Sequence, residues 1–119
     1  MKNPTFYTKD RIDLERLKYA VFDNLIEGVQ VIDFNWRYFY VNKSITLQGL
    51  SSKEELLSNT MMEKYPGIEK TEMFKSLQKC MDDRVPSEVI SEFDFSDGSK
   101  GWFELSIQPV PEGILVLSS

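Results

Sequence analysis

The side chains that could do chemistry in this chain are carboxylates and a single thiol, because its 119 residues include no histidine. Without histidine the commonest general base is missing, and so are Ser-His-Asp triads, Cys-His pairs and most zinc sites. The acid pairs Glu54-Glu55 and Asp82-Asp83 lie in polar stretches, where solvated helix ends are their expected setting. We therefore predict no catalytic residues and no metal ligands.

Asp33 and Cys80 are the remaining candidates for a reactive group. Asp33 could serve as the base of a small enzyme only if its carboxyl were buried with a raised pKa. It stands near Asn35 between two strand-like segments, where short polar side chains favour a turn, so we predict a structural role. Cys80 lies among Leu77 and Met81, which favours a buried structural thiol over a reactive one.

Charge and apolar patterning limit the partners and the location of the chain. Nineteen acidic and fourteen basic residues give a net charge of −5, which opposes binding to nucleic acid and to anionic membranes. The sequence has no signal-peptide pattern and no apolar run of bilayer length, and one cysteine excludes an internal disulfide. We expect one cytoplasmic domain with no direct membrane insertion, while its parent protein could still be membrane-anchored.

The first element that the sequence predicts is an amphipathic helix. Apolar residues recur at helical spacing from Asp10 onward, at Leu14, Leu17, Val21 and Leu25. Spacings of three and four place them on one helix face. We assign residues 1–25 to this helix and a linker, and residues 26–119 to the domain proper.

A β-hairpin and a helical middle region follow. Residues 28–34 and 37–41 are rich in β-branched and aromatic types, which suit strands. Asn42 precedes a helical segment and is predicted to cap it through its side-chain oxygen. Two overlapping capping boxes, Ser51 with Glu54 and Ser52 with Glu55, predict the next helix start.

The second half of the chain predicts a longer helix and three more strands. After the Pro66-Gly67 break, residues 69–83 carry a helical pattern, with Met73, Leu77, Cys80 and Met81 on one face. Strands are then predicted over residues 89–95, 102–108 (ending before Pro109) and 114–117, separated by the turns Asp97-Gly98 and Glu112-Gly113. The last strand is almost wholly apolar, as expected of one buried on both faces. The pattern predicts an α+β fold with an antiparallel sheet and helices on one face.

Several of these segments together resemble a PAS domain, of the sensory-box type found in bacterial and archaeal histidine kinases. The segments are GVQVIDFNWRYFYVN, SSKEELLSNTMMEKYPG and DGSKGWFELSIQPVPEGILVL, and the resemblance covers about Val21 to Ser119. It implies a five-stranded antiparallel sheet in the order 2-1-5-4-3. The Asp-Ile-Thr or Asp-Val-Thr element that usually follows the last strand is missing, so the chain resembles a piece of a longer protein.

The resemblance also limits the cofactors. Haem-binding relatives use an axial histidine, which this chain lacks, so histidine-ligated haem is excluded by sequence. Flavin photosensors carry a reactive cysteine in an NCRFLQ-like motif, whereas the matching region here is Asn59-Thr60-Met61-Met62-Glu63. Cysteinyl-flavin photochemistry is excluded in the same way. We expect no required cofactor, and a small apolar ligand stays possible.

The family's usual ligand position is a cavity between the middle helices and the sheet. The residues that could line it are Leu57, Met61, Met62, Tyr65, Met73, Phe74, Leu77, Phe93, Phe95, Phe103 and Leu105. The alternative is that the same methionine and aromatic side chains simply fill the core.

The predicted partner surface combines Trp102 with the amphipathic helix. Trp102 falls on the strand face opposite Phe103, Leu105 and Ile107, so it needs cover from another element. The stripe of Leu14, Leu17, Val21 and Leu25 could supply that cover within one subunit. It could instead pair with its copy in a second subunit, and we expect this homodimer.

The expected function is sensing. In the first hypothesis the domain binds a small ligand or a partner, shifts between two arrangements and biases a C-terminal kinase domain of its parent. In the alternative it only associates with other proteins, in a transcriptional regulator or a cyclic-dinucleotide enzyme, and its core is filled. Neighbouring domains of the parent are the expected partners in both cases.

Overall fold

The computed structural model describes residues 9–94 and 97–119, and its helices and strands follow one another in the order that the sequence predicts. The strands are β1 (Gly28–Asp33), β2 (Tyr38–Val41), β3 (Ser87–Asp94), β4 (Lys100–Val110) and β5 (Gly113–Ser118). The helices are α1 (Lys9–Leu17), α2 (Lys43–Gly49), α3 (Lys53–Leu57), α4 (Met61–Lys64) and α5 (Glu72–Asp83), with 3₁₀ turns at Ala20–Phe22 and Ile68–Lys70.

The five strands form one antiparallel sheet in the order β2-β1-β5-β4-β3. The apolar strand β5 lies in the centre between β1 and β4, as predicted. Gly113 is the first residue of β5 and pairs with Asp33 at the end of β1. A Cβ added to Gly113 would overlap the carbonyl oxygen of Ile32. Only a residue without a side chain allows the two strands to approach this closely.

Helices α2 to α5 cover one face of the sheet, which we call the inner face. The main apolar cluster lies between them and includes Ile32, Leu77 and Ile114, all of them almost fully buried. A smaller cluster on the outer face is built on Val29, Val31 and Tyr40. The α+β fold class and the one-sided helix layer are therefore confirmed.

Most predicted strand boundaries differ from the structure by one or two residues, and three of the differences in strands and helices have a clear structural cause. β4 continues through Pro109, which is paired with Ile114, because the tight turn into β5 keeps the two strands together to Val110. β2 begins at Tyr38 because Arg37 forms a bridge with Thr60 instead of joining the sheet. The longest helix begins three residues later than predicted, at Glu72, because Thr71 caps it by accepting a hydrogen bond from Phe74 N.

The amphipathic helix is also shorter than predicted. It ends at Leu17, and the chain then turns so that Tyr19 and Phe22 face the outer-face cluster. Leu17 and Val21 are 62% and 76% exposed. The predicted apolar stripe therefore does not cover the sheet of its own subunit. Tyr19 and Phe22, which lie close to Leu17 and Val21 in the sequence, cover it instead.

Helix starts in the middle region differ in detail from the prediction. Ser52 caps α3 by accepting from Glu55 N, whereas Ser51 is buried and donates to the carbonyl of Gly49. A reciprocal capping box occurs instead at Thr60 and Glu63, where α4 begins. In the described ranges, no helix combines the length and the apolar character needed to cross a membrane.

Candidate ligand cavity

A cavity of about 80 Å³ lies between the helical layer and the inner face of the sheet. Six predicted residues line it: Met61, Tyr65, Met73, Leu77, Phe93 and Leu105. Further apolar walls come from Ile45, Leu56, Ile68 and Val116. The cavity therefore collects side chains from all four helices of the layer and from the sheet.

Other predicted lining residues lie elsewhere. Leu57, Met62 and Phe103 are partly buried against the main cluster without bordering the cavity. Phe74 packs against Trp36, with ring centroids 4.5 Å apart. Phe95 lies outside the described residues. A helix face covers about a third of the circumference, so apolar spacing alone does not distinguish lining from packing.

Asn42 fixes the start of α2 against the sheet. Its Oδ1 accepts hydrogen bonds from Ile45 N (3.1 Å) and Val29 N (2.9 Å), and its Nδ2 donates to the carbonyls of Phe22 and Glu27. The predicted cap is present, and the same side chain also ties together β1 and the N-terminal connection. This anchoring places Ile45 on the cavity wall.

One end of the cavity is polar. Gln30, Gln48 and Ser118 reach it from β1, α2 and β5, and the Ser118 hydroxyl donates to Gln48 Oε1 at 3.0 Å. Gly28 permits the close approach of α2 here, since an added Cβ would lie 2.6 Å from Ile45 Cδ1 and 2.8 Å from Gln48 Oε1. Sequence reasoning missed all of these residues.

Two tyrosines add hydroxyl groups to the cavity. Tyr38 is 3% exposed, and burial raises the pKa of its phenol, with a smaller contribution from Tyr65. Burial likewise raises the pKa of Tyr65. Both phenols therefore stay neutral at physiological pH.

Of the polar residues at the cavity, only Gln30 could have been found from a local sequence signal, because strand alternation places it on the same inward face as Gly28 and Ile32.

The cavity borders a surface cleft beside α4 and β3. Tyr65, Ile68, Met73 and Phe93 line both spaces. The rings of Tyr65 and Phe93 meet edge to face with centroids 4.8 Å apart. This ring pair therefore belongs to the wall of both the cavity and the cleft.

The candidate reactive groups have structural surroundings. Asp33 is half-buried, and its Oδ1 accepts from Asn35 N (2.8 Å) and Arg37 N (2.9 Å), so it shapes the hairpin turn as predicted. Cys80 is fully buried, and burial raises the pKa of its thiol. Across residues 9–94 and 97–119, no group of three or more His, Cys, Asp or Glu side chains is placed to hold a metal ion.

The predicted partner residues are exposed, those of the N-terminal segment and Trp102 on the outer face of the sheet. Leu14 is 63% exposed, Leu25 39% and Trp102 69%. The helix α1 therefore leaves Trp102 uncovered. Below α1 the contact with the sheet is made by Tyr19 and by Arg16, whose guanidinium donates to the Phe39 carbonyl.

Comparisons with known proteins agree on one architecture. A domain of a sensory box sensor histidine kinase/response regulator from Geobacter sulfurreducens is 21% identical, with a TM-score of 0.70, over 93% of this chain and 97% of that one. The Rhodobacter sphaeroides LOV protein is 13% identical, with a TM-score of 0.72, over 94% and 68%. VqmA bound to DPO is 14% identical, with a TM-score of 0.70, over 87% and 55%. No curated protein matches the chain.

Identities this low show a shared fold and leave the activity open. The family comparison is more specific, because residues 22–118 match the family described as the PAS fold. That range contains the whole sheet, the helical layer and the cavity between them. The chain therefore belongs to the PAS fold family.

Proposed function

We propose that this domain is a sensor module that binds a small molecule in its inner cavity and relays the binding to another domain of its parent protein. The observation that carries the proposal is the cavity itself, because protein cores are close-packed and have few voids larger than a water molecule. The domain does no covalent chemistry in this proposal. It works in the cytoplasm, and the conformational equilibrium that binding shifts is its only output.

The cavity size limits the ligand to a few non-hydrogen atoms unless the walls move. An engineered protein cavity of about 150 Å³ holds benzene, and the space here is about 80 Å³. Met61 and Met73 are the walls best suited to move, because methionine is unbranched and adapts its shape. Binding that displaces these side chains would also shift α4 and α5.

The proposal is tested by filling the cavity. Val116 is 2% exposed on its floor, so Val116→Phe places a ring in the space and Val116→Ile adds one methylene group. Each purified chain is denatured, and the released small molecules are identified by mass spectrometry. Wild type is expected to release a molecule that Val116→Phe lacks and that Val116→Ile retains in reduced amount.

A folded Val116→Phe chain that releases the same molecules as wild type would refute the cavity as the binding site. Folding is checked by circular dichroism, since overpacking of a core costs about 1–3 kcal/mol. If no chain retains a molecule, the same three chains are screened against a metabolite library by thermal shift. Equal shifts for all three would sink the sensing proposal.

The proposed output domain is a histidine kinase. The Geobacter sulfurreducens relative is a domain of such a protein, which supports the assignment by similarity of fold. The adjoining sequence of the parent gene tests it. A helical hairpin bearing a histidine, followed by an ATP-binding domain, is expected; a helix-turn-helix or a cyclase domain would instead support the alternative, a module of a transcriptional regulator or a cyclic-dinucleotide enzyme.

We also propose that the domain works as a homodimer. Leu14 and Leu17 on α1 and Val21 in the 3₁₀ turn that follows are exposed, and Trp102 is exposed on the outer face of the sheet. A second copy would cover these side chains and so remove apolar surface from water. The same surface favours the second candidate function, a ligand-free association module.

A further inference from the structure

Two side chains that border the cavity can form hydrogen bonds with an occupant. Among residues 9–94 and 97–119, neither the side-chain amide of Gln30 nor the hydroxyl of Tyr38 has a hydrogen-bond partner. Tyr38 as a whole is 3% exposed, but no side-chain N or O atom among the described residues is both fully buried and without a partner, so the amide and the hydroxyl keep contact with the open space of the cavity. Both groups border the cavity, so an occupant of the cavity is what can satisfy them.

The lining excludes a charged occupant. Among the residues that the structure describes, no Asp, Glu, Lys or Arg side chain borders the cavity, and both tyrosines are neutral at physiological pH because burial raises pKa values that are already high. An ion moved from water to such a site would lose its hydration without gaining an opposite charge. The occupant is therefore neutral.

The polar groups also define the shape of the occupant's polar edge. The Gln30 amide offers an acceptor and two donors, and the Tyr38 hydroxyl can donate or accept. A neutral group that carries both a donor and an acceptor can pair with each of these side chains, as an amide, a lactam or a hydroxyl-bearing ring does. The rest of the cavity, formed by residues such as Leu56, Leu77 and Val116, accepts only an apolar body.

We infer that the cavity binds a small uncharged molecule with an apolar body and one amide-like edge, which pairs with Gln30 and Tyr38. The inference rests on the proposed sensing function and specifies its ligand class. Ordered water is the competing occupant, because water can also satisfy an amide and a phenol in a cavity of this size.

Three probes of matched size test the ligand class: 2-pyrrolidinone, which is a lactam, methylcyclopentane, which is apolar, and isobutyrate, which is charged. Each has six non-hydrogen atoms, so each enters only if the methionine walls of the cavity move. Each is titrated into the chain, and binding is followed by the NMR shifts of cavity methyl groups. For wild type, saturable binding of the lactam and of methylcyclopentane is expected, with no saturation by isobutyrate.

Variants then remove the polar partners. Gln30→Leu and Tyr38→Phe each delete hydrogen-bonding atoms while keeping most of the side-chain volume. Each is expected to weaken 2-pyrrolidinone binding about tenfold, the value of one hydrogen bond, and to leave methylcyclopentane binding unchanged or tighter. Gln78→Leu is the matched control, since Gln78 is exposed on α5, and it should change neither affinity.

The outcomes separate the ligand class from the sensing function. If the probes bind but Gln30→Leu and Tyr38→Phe leave lactam affinity unchanged, or if isobutyrate binds more tightly than the lactam, the ligand class is overturned and sensing stands. Crystal waters that bridge Gln30 and Tyr38 and remain in place with bound lactam would overturn it too. If no probe shifts any cavity methyl group, the sensing proposal itself fails.

Discussion

Asn42 is the residue at which three parts of the chain meet. It is 2% exposed and bonds to α2, to β1 and to the connection that precedes β1. Its loss would leave buried donors and acceptors unpaired, which costs more than the loss of a helix cap alone.

Asn42→Ala is expected to lower the free energy of unfolding by about 2–4 kcal/mol, from a cap of about 1 kcal/mol and unpaired buried groups of about 1–3 kcal/mol. Urea unfolding followed by tryptophan fluorescence measures the change. Asn24→Ala is the control, because Asn24 is exposed, and it should stay within about 0.5 kcal/mol of wild type. Similar values for the two variants would contradict the role given to Asn42.

Glu112 gives the N-terminal segment a dependence on pH. Its carboxylate accepts hydrogen bonds from Lys18 Nζ and from the Tyr19 hydroxyl. Partial burial acts to raise the pKa of Glu112, but these two hydrogen bonds outweigh it, so the pKa lies below its ordinary value of 4.5. A carboxyl with a lowered pKa stabilises the fold above the unfolded-state pKa, and this contribution disappears as pH falls through the folded-state value.

Glu112→Gln is therefore expected to lower stability by about 1 kcal/mol at neutral pH, and the gap from wild type should close as pH falls below 4.5. Urea unfolding across this range measures it. Glu27→Gln serves as the control, because Glu27 is exposed and has no ion-pair partner in the described part of the chain. A gap that persists at low pH would show that the carboxylate is not the source.

At the scale of elements, Arg84 connects the end of α5 to two turns. It closes the helix in the left-handed conformation, at φ 59°. Its guanidinium donates to the carbonyls of Val110 (2.6 Å) and Gly113 (2.9 Å) and lies 5.0 Å from the centre of the Phe34 ring. The side chain thus offsets a backbone conformation that would otherwise favour glycine.

Arg84→Ala is expected to cost about 1–2 kcal/mol of stability, because it loses the hydrogen bonds of the guanidinium and keeps the strained backbone. Arg84→Gly should be about 1 kcal/mol less damaging, since glycine has no side chain to clash in this conformation. Thermal and urea unfolding of the two variants compare them.

Leu50 offers a matched control, because it ends α2 with φ 57° and is 54% exposed. The difference in unfolding free energy between Leu50→Ala and Leu50→Gly should equal the difference between Arg84→Ala and Arg84→Gly, because both pairs report the same backbone conformation. The Leu50 variants should lack the additional loss that both Arg84 variants suffer when the guanidinium contacts disappear. If Arg84→Ala and Leu50→Ala cost the same, the contacts of the guanidinium contribute nothing.

At the scale of the whole molecule, the proposed dimer predicts a clear effect of Leu17→Glu. A charge in the centre of an apolar interface should raise the dimer dissociation constant at least about tenfold. Analytical ultracentrifugation measures it. Leu47→Glu is the control, because Leu47 on α2 is 66% exposed, close to the 62% of Leu17. Equal effects, or a wild-type chain that is monomeric at all concentrations, would contradict the proposed interface.

Sequence reasoning was accurate where local patterns decide the structure. Alternation and turn residues located the strands, and Asn42 and Asp33 do what their neighbours in sequence indicate. It was inaccurate where distant segments meet. The spacing of Leu14 and Leu17 predicted a docked stripe, but Tyr19 makes the contact because Glu112 and Tyr40 lie beneath it.

The candidate site was predictable only in part for the same reason. Its apolar helix residues follow from periodicity, which depends on near neighbours. Its polar end joins Gln30, Gln48 and Ser118, which come together only when β1 and β5 pair and α2 docks on them. No local sequence pattern specifies how β1 and β5 pair or where α2 docks. The only local sign of this polar end was therefore Gln30, a polar residue at an inward-facing strand position.

The central position of β5 has a consequence for how the domain is made. Residues 113–118 pair with residues 28–33 on one side and with β4 on the other, so the contacts that close the sheet span most of the chain. Such long-range pairing slows folding. Until the ribosome has released β5, the nascent chain carries two unpaired strand edges, which are sites for aggregation or chaperone binding. The middle strand of the sheet is therefore the last of the five strands to leave the ribosome, and the sheet is completed only after it has emerged.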